Sequence, residues 1–262
     1  MTHASRALGK KRYLSAVGTD IDKTEIPMKK ATLMAAFLLA AVYSYGQQSI
    51  ASDQVEAFNA MSVSGNISVE LVEAGSNKVD IVLYDADITK FKWGVKNGTL
   101  NLSLSGGGKT IPRAEAKIYY ADTLQYVSVS GGQITARQPL AGVAMRVDLS
   151  GGASAALQFD MLDLELNCTG NSVAEYGGIS KYLGVRATEK SKVNARKLDC
   201  VSADVETATG AELTVIPSER LVVNAKTSST VFYGGTPVVV KDRTSKMNSG
   251  MMGSSVNYIG EE

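Results

Sequence analysis

Histidine occurs once in this 262-residue sequence, at His3. Beyond that position no Ser-His-Asp or Cys-His mechanism can be assembled, and no His-ligated zinc site. P-loop, CxxC and HExxH motifs are missing, as is a GxGxxG following a strand, so no cofactor and no metal is expected. Only one apolar run is long enough to stand out, and none reaches the ~18 residues that a membrane-spanning helix needs. A net charge of +1 gives no general case for nucleic acid as a partner. An apolar fraction of 44% against 20% charged residues supports a packed core.

The one apolar run begins just after Met28, in MKKATLMAAFLLAAVYSYGQQS. Lys29 and Lys30 form a basic start, Ala31 to Tyr43 an apolar stretch, and Ser44 and Gly46 put small residues before a cut at Gln47. This is a secretory signal pattern, which predicts export and cleavage between Gly46 and Gln47. Residues 1–27 then read as an upstream extension from a misassigned start codon, and 28–46 as the signal peptide. The first 46 residues carry seven Lys/Arg against three Asp/Glu, so their removal leaves a mildly acidic body. With no cysteine after the apolar run, a lipid anchor is not expected. Location is therefore the periplasm, the outer-membrane surface or the exterior.

Within the body, a phrase of alternating apolar residues ending in Ser/Thr-Gly recurs at VSVSGG (127–132), VDLSGGA (147–153) and LNCTGN (166–171). The middle column of the repeat is Val127, Val147, Leu166, Val185, Val205 and Val223, with steps of 18 to 20 residues. Flanking columns are Gln125, Met145, Leu164, Leu183, Ala203, Leu221 and Val129, Leu149, Cys168, Ala187, Thr207, Ala225. Apolar residues at every second position mark strands, and a fixed period of about twenty marks a stacked coil. The columns are expected to continue past each corner through Ile134, Leu157, Val173, Val193, Leu213 and Val231. A further apolar position is expected at Leu140, Phe159, Ile179 and Leu198. The corners are placed at Ser130-Gly131, Ser150-Gly151, Thr169-Gly170, Thr188-Glu189, Thr209-Gly210 and Thr227-Ser228. An all-β parallel β-helix over 121–258 follows, with 19–20 residues per turn.

The segment 52–120 reads differently. NISVEL (66–71) and KVDIVLY (78–84) alternate around a loop with Gly75, and FKWGVK and TLNLSL flank Asn97-Gly98, a two-residue hairpin signal. These hairpin-forming strands are expected to begin and cap the coil, making 52–258 one structural domain. Cys168 lies in an interior column, and Cys200 falls at a different part of the turn, more than one turn away. That phase difference predicts two buried thiols rather than the disulfide that an exported pair would suggest.

Phe58 with VSGNISVEL (63–71), Asn97-Gly98-Thr99-Leu100, the SGG corners at 130 and 150 and VFYGGTP (231–237) together resemble a bacterial family. This is the putative auto-transporter adhesin head GIN domain family, common in Bacteroidetes envelopes, and the resemblance runs from about 55 to 258. It implies a right-handed β-helix behind an N-terminal signal, and an adhesin-like role. It brings no functional residues with it.

Glycosidases need two carboxylates within about 5–10 Å of each other. Here Glu165 is expected to stack against Arg146 and Gly184, and Asp148 against Asn167 and Arg186, without an acidic neighbour in either column. Asp85 and Asp87 share one side of YDADITK and read as a solvated turn rather than a cation site. Binding candidates are Tyr176 and Tyr182 as stacking platforms, and Lys190 and Lys192 within the basic stretch EKSKVNARK. The expected role is a non-catalytic, envelope-associated binding or scaffold protein whose partner is a surface protein or a glycan. Alternatives are a carbohydrate-active β-helix enzyme, a polysaccharide lyase or glycosidase, and a periplasmic structural or regulatory protein.

Overall fold

The computed structural model describes residues 47–85, 87–106, 111–244 and 253–260. The signal segment, the extension before it, His3 and Gly46 lie outside the described residues. Apart from one short 3-10 turn at Ile88–Lys90, the described regular structure is all strand. β8 (Tyr126–Ser130) pairs in parallel with β10 (Leu140–Ser150), and the stack continues through β11 (Ser154–Cys168), β12 (Val173–Ala187), β13 (Lys192–Thr207) and β14 (Glu212–Ala225). Val127, Val147, Leu166, Val185, Val205 and Val223 are register partners throughout, and every one is buried. The β-solenoid expected from the twenty-residue period is the fold observed.

Corners explain why the strands can stack. Five consecutive turns place two residues in the left-handed region: Gly151 and Gly152, Gly170 and Asn171, Glu189 and Lys190, Thr209 and Gly210, and Thr227 and Ser228. Each closes with a backbone bond from the fourth residue to the first, as in Ala153 N to Ser150 O at 3.1 Å and Ser191 N to Thr188 O at 3.1 Å. Positive φ at both central positions defines a type I′ turn. The turns also bond to one another, as Gly152 N to Gly170 O at 2.8 Å and Asn171 N to Glu189 O at 2.9 Å. That ladder holds β-branched Thr209 and Thr227 in a conformation they rarely adopt alone. The residue closing each turn is small and buried: Ala153, Ser172, Ser191, Ala211 and Ser229.

Two expected columns need correction beyond the corner. The inward residues there are Ile134, Ala155, Ala174, Val193, Leu213 and Val231, whereas Leu157 pairs with Tyr176 and Val173 is half exposed. In the last column Gly178, not Ile179, lies between Phe159 and Leu198, and Ile179 points outward between Asp160 and Asp199. Strand period 2 makes any one-residue miscount exchange the inner and outer faces.

The N-terminal strands interleave rather than follow in order. β2 (Ala60–Ser64) pairs in parallel with β8 on one edge and with β6 (Thr99–Leu104) on the other. β3 (Ile67–Glu73) likewise lies between β9 (Gln133–Ala136) and β7 (Arg113–Tyr120). The chain thus builds an inner rung first, then its outer neighbour, and then crosses back to start the coil. Antiparallel strands finish that end: β5 (Phe91–Lys96) forms a hairpin with β6 around Asn97-Gly98, and β4 (Lys78–Tyr84) pairs with both β7 and β1 (Gln47–Gln54). Strands β3 and β4, neighbours in sequence, are separated in space by β7. At the other end β16 (Val238–Thr244) adds to β14, and β17 (Ser255–Tyr258) to β15 (Thr230–Tyr233).

Candidate functional site

The outward residues of β10 to β13 form a ladder of polar columns beside the buried ones. One column runs Ala144, Asp163, Tyr182 and Ser202; the next runs Arg146, Glu165, Gly184 and Asp204. Together they line an open groove with a volume of about 1060 Å³. Tyr182 lines it, 45% exposed, directly across from Asp163. Gly184 leaves a notch two residues further on, since a Cβ placed there would meet nothing nearer than 3.9 Å. Glu165 and Asp204 flank the notch on the two neighbouring strands, as the register requires.

Electrostatics next to the groove are tightly paired. Arg146 Nε lies 2.9 Å from Asp148 Oδ1, and Arg146 also reaches Glu165 at 3.6 Å. Asp148 further accepts from Asn167 Nδ2 at 2.9 Å and Tyr126 Oη at 2.8 Å. Burial pushes the Asp148 carboxyl up, but hydrogen bonds from Arg146, Asn167 and Tyr126 outweigh it and hold it below its ordinary value. A carboxyl lower in the folded chain stabilises the fold above the unfolded value near pH 4, and that contribution fades as pH falls through the folded one. Asp148→Asn is therefore expected to lose about 1 to 2 kcal/mol at pH 7. The difference from the parent should be smaller at pH 3, where the unfolded chain's carboxyl already takes up a proton that the folded one resists. Urea midpoints at the two pH values check this, and an unchanged gap between them would contradict it.

The four expected binding residues are dispersed. Tyr182 lies in the groove. Tyr176 does not belong on the surface: it is buried, its ring 5.6 Å from that of Phe159, and its hydroxyl 3.9 Å from Cys168 Sγ. It follows Gly170-Asn171 at an inward position, which the miscounted column had obscured. Lys190 sits in a corner and Lys192 opens β13, both exposed, and neither lines the groove. Gln47, after the expected cut, is the first residue of β1 and pairs with Tyr84. The two cysteines are free and buried, and burial pushes the thiols up to about 11 for Cys168 and about 12 for Cys200. Asp87 accepts from the backbone and hydroxyl of Thr89, both at 2.9 Å, which is the geometry of a turn. Among the described residues no group of three or more Asp, Glu, Cys or His is placed to hold a metal ion.

Asp163, Gly184 and Asp204 were not foreseen as one site. Their signal lay in the outward columns, where a glycine interrupts a run of charged residues. Glu165 and Asp204 are two strand spacings apart, about 10 Å between backbones. Both side chains are exposed, whereas the general acid of a glycosidase needs enclosure to keep its proton.

A family model described as "Putative auto-transporter adhesin, head GIN domain" matches residues 57–237. Among solved structures, a putative adhesin from Bacteroides fragilis is similar with a TM-score of 0.69 at 16% identity, covering 83% of this chain and 95% of that one. A putative lipid binding protein from Parabacteroides distasonis has a TM-score of 0.62 at 12% identity, covering 82% and 97%. A putative adhesin from Parabacteroides merdae has a TM-score of 0.60 at 14% identity, covering 82% and 94%. At such identities these likenesses establish the fold. No curated protein matches. No helix among the described residues is long and apolar enough to cross a membrane.

Proposed function

Since this chain belongs to the putative auto-transporter adhesin head GIN domain family, we propose that it is an exported, non-catalytic binding protein of the cell envelope. The observation that carries this reading is the open groove that the exposed Tyr182 lines. A solenoid offers a long rigid face on which side chains from successive rungs meet a partner without a deep pocket. Export rests on the sequence Met28 to Gly46, with the mature chain starting at Gln47 and residing in the periplasm, at the outer membrane or outside. Every strand described pairs within 47–258, which supports taking that span as one folding unit. Glu165 and Asp204 across the notch keep a glycosidase as the second reading.

A glycan-array and host-matrix screen of the purified 47–262 chain tests the proposal. Saturable binding that Tyr182→Ala weakens about tenfold or more is expected, in line with the loss of an aromatic anchor. Reproducible release of oligosaccharides from any polysaccharide would overturn the non-catalytic reading.

A further inference from the structure

The groove has a charge surplus that bears on what it binds. Three carboxylates line it, Asp163, Glu165 and Asp204, against the single guanidinium of Arg146, which Asp148 already shares. Among the described residues neither the Asp163 nor the Asp204 carboxylate has an ion-pair or hydrogen-bond partner. In the strand register they flank Tyr182, Asp163 directly across on the preceding strand and Asp204 diagonally on the following one, opposite Gly184. The ring already draws a cation: Lys181 Nζ lies 5.1 Å from its centroid, and Lys181 lines the separate depression beside Ile179 and Cys200. Aromatic faces attract ammonium and guanidinium groups through their quadrupole, and neighbouring carboxylates add directly to that attraction.

We propose that the groove binds an extended, lysine- or arginine-bearing segment of a partner protein. One cationic side chain is seated in the notch over Gly184, against Tyr182 and between Glu165 and Asp204. This rests on the binding reading above and names its ligand class. Charge complementarity selects this occupant. A neutral saccharide can hydrogen-bond these carboxylates but gains no charge attraction from them, and an anionic polysaccharide is repelled. Such recognition is salt-sensitive because the groove is open to solvent.

Fluorescence anisotropy on the purified chain, with labelled hexaarginine and hexalysine, tests the assignment. Both peptides are expected to bind at 50 mM NaCl and to weaken at least tenfold at 300 mM. The double variant D163N/D204N, which removes no native contact, is expected to weaken them at least tenfold again with an unchanged melting temperature. Gly184→Val, which fills the notch, should weaken binding similarly, with its melting curve checked alongside. Absence of peptide binding at millimolar concentration overturns the inference, and so does binding unaffected by D163N/D204N. Binding of neutral cellohexaose that Tyr182→Ala abolishes, with silent peptides, also overturns it while leaving the binding reading intact. Oligosaccharide release removes that reading instead, whatever the peptides do.

Discussion

Gly178→Ala is expected to lower stability by about 3 to 4 kcal/mol and the melting temperature by roughly 10 °C. Two separate penalties act there. Gly178 holds φ at +95°, a conformation that residues with a Cβ rarely adopt. A Cβ would also sit 2.1 Å from Phe159 O and 2.7 Å from Phe159 N. Both atoms are backbone within a paired strand, so neither can swing aside as a side-chain tip could. The internal control is Gly184→Ala on the same strand, where the nearest atoms lie at 3.9 Å and no strained φ is involved. That variant should stay within about 0.5 kcal/mol of the parent. Thermal and urea melts of the two variants decide the matter, and equal stability would mean that the bend at 178 does not need glycine.

The same glycine marks where the sequence became hard to read. From Val127 to Val223 the middle column could be aligned without a structure, because alternation and spacing are local properties and every rung repeats them. Past the corner, Val173, Leu157 and Ile179 offered apolar side chains at nearly the right spacing, while the true inward positions are held by Ala155, Ala174 and Gly178. Small residues carry little hydrophobic signal, so an apolar search slides to a larger neighbour, by one residue to the opposite face at Val173 and Ile179 and by two to the next inward position at Leu157. The repeat placed every corner, but the left-handed backbone of the corners was legible only where glycine filled them; Glu189, Lys190 and Thr227 give no local warning of positive φ. Part of the groove was within reach, since Glu165 beside Gly184 followed from the columns. Its relation to Asp163 and Asp204 required reading the outward columns as a surface. Tyr176 and Tyr182 are equal candidates as letters, and only the register separates the buried ring from the exposed one.

Interleaving of the N-terminal strands could not be read at all, because alternation identifies a strand without naming its neighbours. Its consequence is the second large effect. Val63→Asp is expected to cost about 5 kcal/mol or more, enough to remove the cooperative melt of a chain of ordinary stability. Val63 is 1% exposed and stands between Leu102 and Val129 in the continuous interior column. An unpaired carboxylate there finds no water and no partner, so it must either stay protonated or expel its strand. Expulsion of β2 would strip β8 of one parallel partner and β6 of another, opening the coil at an edge that the native chain keeps covered. Ser62→Asp is the matched control. Its side chain is only half-buried and faces outward toward Asn101 and Ser128, so it should change stability by less than about 1 kcal/mol. Hydrogen exchange distinguishes a shared rung from an appended cap. With a shared rung, amides of β8 and β10 lose protection together with those of β2 in Val63→Asp, because each rung of a solenoid is stabilised by its neighbours. Native protection persisting in β8 while β2 exchanges freely would show that the coil stands without the rung, and that the crossing of the chain has no part in holding it together.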